Sequence, residues 1–104
     1  MILTNIEAIP SRKIVEHFGL VCGSTVRAKN AFKDIGAGFK NIVGGELKSY
    51  TALMEESRRQ AVERMEQQAQ QLGANAIVNV RFSTSNIAQG AAELYVYGTA
   101  VRIE

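Results

Sequence analysis

The sequence is sparing with the residues that do chemistry. Its 104 residues include one cysteine, Cys22, one histidine, His17, and one proline, Pro10. A lone cysteine excludes an intrachain disulfide, and short secreted chains more often carry an even cysteine framework. No apolar run approaches the ~18 residues that a membrane span needs. Met1 to Glu7 lacks the basic start and long apolar stretch of a signal peptide. A cytoplasmic protein is expected from these absences. Neither sign of charge dominates, since 12 basic and 10 acidic residues leave a net +2. That excess is too small to argue for nucleic acid or an acidic membrane as partner. No strand-linked GxGxxG or P-loop occurs, and no serine sits in a nucleophile elbow. No catalytic machinery and no cofactor are expected.

What is present is the material of one domain, residues 1–104. A chain of this length buries roughly 65% of the surface its unfolded form exposes, so it needs no metal or disulfide to fold. Ile2 to Ile9, stopped by Pro10, suits an edge strand or extended arm. Lys13 to Arg27 reads as a long strand rich in β-branched residues. Its even positions Ile14, Phe18, Leu20, Cys22 and Val26 are apolar and are expected to share one face. Gly19 and Gly23 signal a bulge or a close backbone approach. Asn30 to Gly45 has a helical period through Phe32, Ile35, Phe39 and Ile42/Val43, capped by Asn30 and stopped by Gly44-Gly45, with Gly36-Ala37-Gly38 inside it.

Tyr50 to Leu72 is the clearest element. Tyr50, Leu53/Met54, Ser57, Ala61, Met65, Ala69 and Leu72 form one stripe, with Glu55, Glu56, Arg59, Glu63 and Gln67 opposite. Ser49 is the expected N-cap and Gly73 the C′ glycine. Glu55–Arg59 and Arg59–Glu63 are spaced for ion pairs. Ala76 to Ser85 alternates as a strand, and Ser85 to Gly90 reads as the turn of a hairpin. In the last strand, Ala91 to Ile103, Leu94, Val96, Gly98 and Ala100 share a face. Tyr95, Tyr97, Thr99, Val101 and Ile103 share the other. Neither face is polar enough for water, so the second face should meet another subunit or a closed core. The expected class is α+β in two layers, an antiparallel sheet packed on a long helix.

Candidate site residues are few. His17 and Cys22 are the only soft metal ligands besides methionine, and their odd separation puts them on opposite faces of a regular strand. A bulge at Gly19 would reset that parity. Cys22 otherwise reads as a small buried hydrophobe. A ligand cleft near the glycine-rich helix would draw on Asn30, Asp34, Tyr50, Arg58 and Asn75, each of which also has a structural role open to it. Arg27, Lys29, Lys33, Lys40 and Lys48 make an anion-attracting rim without the exposed aromatics that nucleic acid calls for.

The ordered set of segments resembles a family of uncharacterised bacterial proteins, the YbjQ-like family, which carries a heavy-metal-binding label. The resemblance runs from about Ile6 to Ile103. It lies in Val15-Glu16-His17-Phe18-Gly19-Leu20-Val21-Cys22-Gly23, in Asn30-Ala31-Phe32-Lys33-Asp34-Ile35, and in Ile42-Val43-Gly44-Gly45 followed by Tyr50. It continues through Arg58 and Ala61, Leu72-Gly73-Ala74-Asn75-Ala76-Ile77-Val78, and Tyr97-Gly98-Thr99-Ala100-Val101. The resemblance implies a dodecin-like β-α-β-β architecture and a ring-shaped homopentamer, so the chain's first partner would be itself. It implies no mechanism. A metal would then be held by Cys22 or His17 only where the ring brings copies together.

Overall fold

The computed structural model describes residues 1–28, 42–43, 46–88 and 91–104. Six strands and one helix follow in the order β1 (Ile2–Leu3), β2 (Ile14–Ala28), β3 (Ile42–Val43), β4 (Glu46–Leu47), α1 (Lys48–Leu72), β5 (Ala76–Ala88) and β6 (Ala91–Ile103). Strands β1, β5, β6 and β2 form one sheet in that spatial order, and β3 and β4 form a separate two-stranded ribbon. The β2–β6 and β5–β6 pairs are antiparallel, but β1 runs parallel to β5. The sheet is therefore mixed, which corrects the expected all-antiparallel one. The cause is local: the chain enters at the sheet edge beside the start of β5 and points the same way.

The helix expected over Asn30–Gly45 lies largely outside the described residues, as do Gly36-Ala37-Gly38 and Gly44-Gly45. At its C-terminal end the expectation fails. Ile42 and Val43 pair with Leu47 and Glu46 as strands instead of continuing a helix.

Helix α1 carries out its sequence pattern. Ser57, Ala61, Met65 and Ala69 are buried at four-residue spacing. Glu55, Glu56, Arg59, Glu63 and Gln67 are exposed, and Arg59 and Glu63 approach to 4.0 Å. The helix begins at Lys48, so Ser49 lies in its first turn instead of capping it. Its C-terminus is closed as expected. Gly73 has φ +92°, its N–H donates to Gln70 O (3.0 Å), and Ala74 N–H donates to Ala69 O (3.1 Å). These two bonds are a Schellman motif, which occupies carbonyls that the helix end leaves free.

The stripe of small residues lets α1 lie very close to β2. A Cβ placed on Gly23 would stand 2.1 Å from Ala61 O and 2.6 Å from Met65 N. Only hydrogen fits between strand and helix at this crossing. Around it Val21, Met65, Ile77, Val96 and Ala100 are wholly buried, with Phe18, Val62, Val80 and Leu3 packed at the margin. Each large apolar side chain so buried contributes about 1.5–3 kcal/mol. A second, smaller cluster forms on the other side of the sheet, where Ile9 of the N-terminal arm packs near Ala76, Val78, Val101 and Ile103.

Both neighbours of β6 are bulged. In β2, His17 opposes Val101 while Gly19 opposes Ala100, which leaves Phe18 as an extra residue beside a glycine at φ +96°. In β5, Val78 opposes Thr99 while Arg81 opposes Tyr97, with Asn79 at φ +54° inside the bulge. Each extra residue inverts the alternation beyond it. So Val21, Gly23 and Thr25 turn toward the helix, and Leu20 and Val26 stay in solvent. Leu20, Cys22 and Val26 thus share a face as expected, while Phe18 packs on the helix-side cluster instead. In β5, likewise, Ile77 and Val80 pack on the same helix-side cluster. Strand β6 has no bulge of its own, and Leu94, Val96, Gly98 and Ala100 are buried together, as the sequence pattern says.

Candidate functional site

The two faces of the sheet carry different chemistry. On the helix side, β2 is tied to α1 by polar contacts. Thr25 Oγ1 donates to Ser57 O (2.9 Å), and Arg27 donates through Nε to Ser57 Oγ (3.0 Å) and through Nη2 to Gln60 Oε1 (3.1 Å). Further along, Cys22 N–H donates to Gln68 Oε1 (2.8 Å) and Arg64 Nη1 donates to Ser24 O (2.5 Å). Those last two bonds occupy outward-facing backbone groups of an edge strand, which otherwise invite pairing with another chain.

The opposite face is bare along most of its length. Cross-strand partners share a face, so the rows across it read Leu20–Thr99, Cys22–Tyr97–Arg81, Ser24–Tyr95–Ser83 and Val26–Glu93–Ser85. Tyr95 and Tyr97 stack with ring centroids 5.5 Å apart and planes at 29°. The Tyr95 phenol is held above its ordinary pKa of 10.0, first by a hydrogen bond with Cys22, then by burial and by the neighbouring Cys22, Glu93 and Tyr97. Cys22 is a free, half-buried thiol. It is thus not the buried core residue that its type suggests, but part of a polar–aromatic surface.

The bulge changes the reasoning about His17 and Cys22 without bringing them together. Their partners Val101 and Tyr97 lie on one face of β6, so the two side chains do share a face. Four residues of strand still separate the rows, about 13 Å. Among the described residues no group of three or more His, Cys, Asp or Glu converges on a metal-sized space. One chain does not supply a metal-ligand set from these residues.

The expected ligand cleft is not assembled either. Asn30 and Asp34 lie outside the described residues, and of Tyr50 the backbone, in the first turn of α1, is described. Arg58 is exposed on the helix, while Asn75 lies beyond its C-terminus. The helix from Arg58 to Leu72 alone, 14 steps of 1.5 Å, spans about 21 Å. Asn75 is committed elsewhere: its Nδ2 donates to Ile103 O (2.9 Å) and its Oδ1 accepts from Ile103 N–H (2.7 Å). Its side chain stands in for one more strand residue at the end of β6.

A concavity does exist at the other end of α1. Thr25, Arg27, Met54, Ser57, Thr84 and Leu94 line a space of about 350 Å³. Of these, Arg27 was visible in the sequence as part of the basic run. The rest were not, because they come from four elements far apart in the chain.

This is a small α+β module, with one long helix sealing one side of a four-stranded mixed sheet. The chain belongs to the YbjQ family, whose description reads "Putative heavy-metal-binding" and whose pattern matches residues 1–104. It is 62% identical over 104 residues to a UPF0145 protein of Hahella chejuensis, covering both chains completely. It is 53% identical over 103 residues to a UPF0145 protein of Archaeoglobus fulgidus, covering 99% of this chain and 95% of that one. Among solved structures, a protein of unknown function of the DUF74 family from Pediococcus pentosaceus superposes with a TM-score of 0.67 at 16% identity, covering 100% of this chain and 98% of that one. That likeness establishes the fold. No helix among the described residues is long and apolar enough to cross a membrane.

Proposed function

We propose that the chain works as a non-enzymatic, cytoplasmic binding module whose active form is a ring of identical subunits, five by the family resemblance, packed through the bare face of the sheet. The carrying observation is the composition of that face. Leu20 is 68% exposed and Val26 50% exposed, on either side of the stacked Tyr95 and Tyr97. A face left to water in an antiparallel pair is ordinarily polar, and clustered apolar exposure marks an interaction surface. A second copy is the occupant that fits. Arg81 and Glu93 give this face one charge of each sign, so no net charge on it opposes the approach of a second copy. Native mass spectrometry of the full chain tests this by counting subunits. A ring that dissociates in Leu20→Asp supports the reading, and a monomeric wild type overturns it.

A second reading follows from the family's description and the position of Cys22. In a ring whose axis Cys22 lines, several Cys22 thiols, each beside a Tyr95, would meet at one place. Several thiolates in a partly desolvated setting suit a soft metal ion. Metal co-purifying with the wild type and lost in Cys22→Ala supports it. Metal retained in both Cys22→Ala and His17→Ala removes these residues as ligands.

A further inference from the structure

The cavity on the helix side is separate from the assembly face. It lies between the first half of α1 and the ends of β2, β5 and β6. Its volume of about 350 Å³ falls at the lower end of the range for small-molecule sites.

Its charge is one-sided. Glu93 and Ser85 border the cavity, but their cross-strand row includes Val26 and alternates with the Tyr95 row on the bare face. Strand alternation therefore sends both side chains to that face and leaves backbone here. The Glu93 carboxylate acts on Tyr95, consistent with that side. Among the described residues, Arg27 is then the one charged side chain turned into the space. It has no carboxylate within ion-pair distance among the described residues, where Arg59–Glu63 is the pair formed.

Arg27 is also held in place. Ser57 Oγ donates to Leu53 O (2.8 Å) and so presents a lone pair to Arg27 Nε. Gln60 Nε2 donates to Glu56 Oε1 (3.4 Å), which turns its amide oxygen toward Arg27 Nη2. Two helix side chains thus fix the guanidinium plane and use two of its five N–H groups. The remaining N–H groups are pre-oriented donors, an arrangement that matches a carboxylate. Thr84 adds a hydroxyl, while Met54 and Leu94 supply an apolar wall.

We infer that this cavity binds a small organic acid, its carboxylate on the Arg27 guanidinium and its apolar body against Met54 and Leu94. The inference rests on the reading of the chain as a binding module, and does not depend on its assembly.

The test is a two-dimensional amide NMR titration of the full chain with three probes: hexanoate, the neutral hexanamide and inorganic phosphate. Hexanoate is expected to shift the amides of Thr25, Arg27, Thr84 and Ala92 saturably. It should bind at least about ten-fold more tightly than hexanamide or phosphate. Arg27→Gln should weaken hexanoate about ten-fold and leave hexanamide unchanged, while Arg27→Lys should restore part of the loss. Should Arg27→Gln fail to fold, Thr84→Phe, which fills the space from an exposed strand position, must abolish binding of both organic probes. Equal binding of hexanoate and hexanamide overturns the inference. So does hexanoate binding that survives Arg27→Gln, shifts confined to Tyr95 and Tyr97, or phosphate binding as tightly as hexanoate. Native mass spectrometry on the same samples keeps the two proposals apart. A monomer that binds hexanoate through Arg27 supports this site and removes the ring.

Discussion

The two sides of the sheet are built on opposite rules. The helix side is closed by contact: glycine against helix backbone at Gly23, a run of small residues on α1, and a hydrogen bond for each buried polar side chain there, Thr25 and Ser57. Among the described residues, the bare side is closed only at one end, by Ile9, and elsewhere presents aliphatic, aromatic and thiol groups. The first side accounts for the folding of one chain. The second contains residues that folding does not require. On the reading proposed above, the bare side serves contacts outside the single chain.

Substitutions can break that contrast. The largest effect on folding should come from Gly23→Ala, because the new methyl meets helix backbone that has nowhere to retreat. A loss of about 3 kcal/mol is expected. Thermal unfolding followed by circular dichroism would show it as a fall in Tm of more than about 10 °C. Its sequence neighbour Ser24→Ala, on the other face, should change stability by less than about 0.5 kcal/mol. Equal effects would erase the distinction between the faces.

Asn75→Ala should cost about 2 kcal/mol, since it leaves the N–H and C=O of Ile103 without their partners. Urea denaturation measures this, and a neutral result would return Asn75 to the pool of ligand residues. Leu20→Asp should leave the unfolding free energy of the isolated chain within about 0.5 kcal/mol, yet reduce the sedimentation coefficient to that of a single subunit. Unfolding of this variant would instead place Leu20 among the folding residues.

The smallest effect is electrostatic. The Tyr95 pKa is raised in the folded chain, chiefly by Cys22. A raised pKa contributes stability that is fully present below the unfolded value near 10 and is lost as pH rises through the folded value. Neutral pH is therefore unaffected, and the change is confined to alkaline solution. Phenolate absorbance should show Tyr95 ionising at lower pH in Cys22→Ala than in the wild type. An unchanged titration would disconnect Tyr95 from Cys22.

The sequence made some of this legible for definable reasons. Helix α1 and strand β6 were readable because each keeps one period from end to end. The limits of β2 were readable within one residue, but its inner and outer faces were not. Phe18 and Gly19 shift the phase, and no composition rule counts an extra residue. Ser85 to Ala88 resembled a turn because Ser85 and Asn86 are small, polar turn formers, yet the segment continues β5 to pair with β6. Polar residues suit an exposed hairpin strand as well as a loop, so composition alone does not separate the two. The site was least legible. Cys22 meets Gln68 and Tyr95, and Arg27 meets Ser57 and Gln60, across gaps of 30 residues or more in sequence. Such pairings exist only after the fold brings the elements together.

The bulges beside β6 have a consequence for how this chain can change over time. Deleting Phe18 would only remove the bulge, but inserting a residue between Gly19 and Leu20 would turn everything after it inside out, so that Leu20 and Val26 would face the helix and Val21 and Thr25 the solvent. Inserting a residue after Arg81 would do the same to β5. A substitution alters one side chain, whereas a one-residue slip here exchanges two surfaces at once. Strands β2 and β5 should therefore tolerate many replacements while holding their length fixed between the bulges and the hairpin.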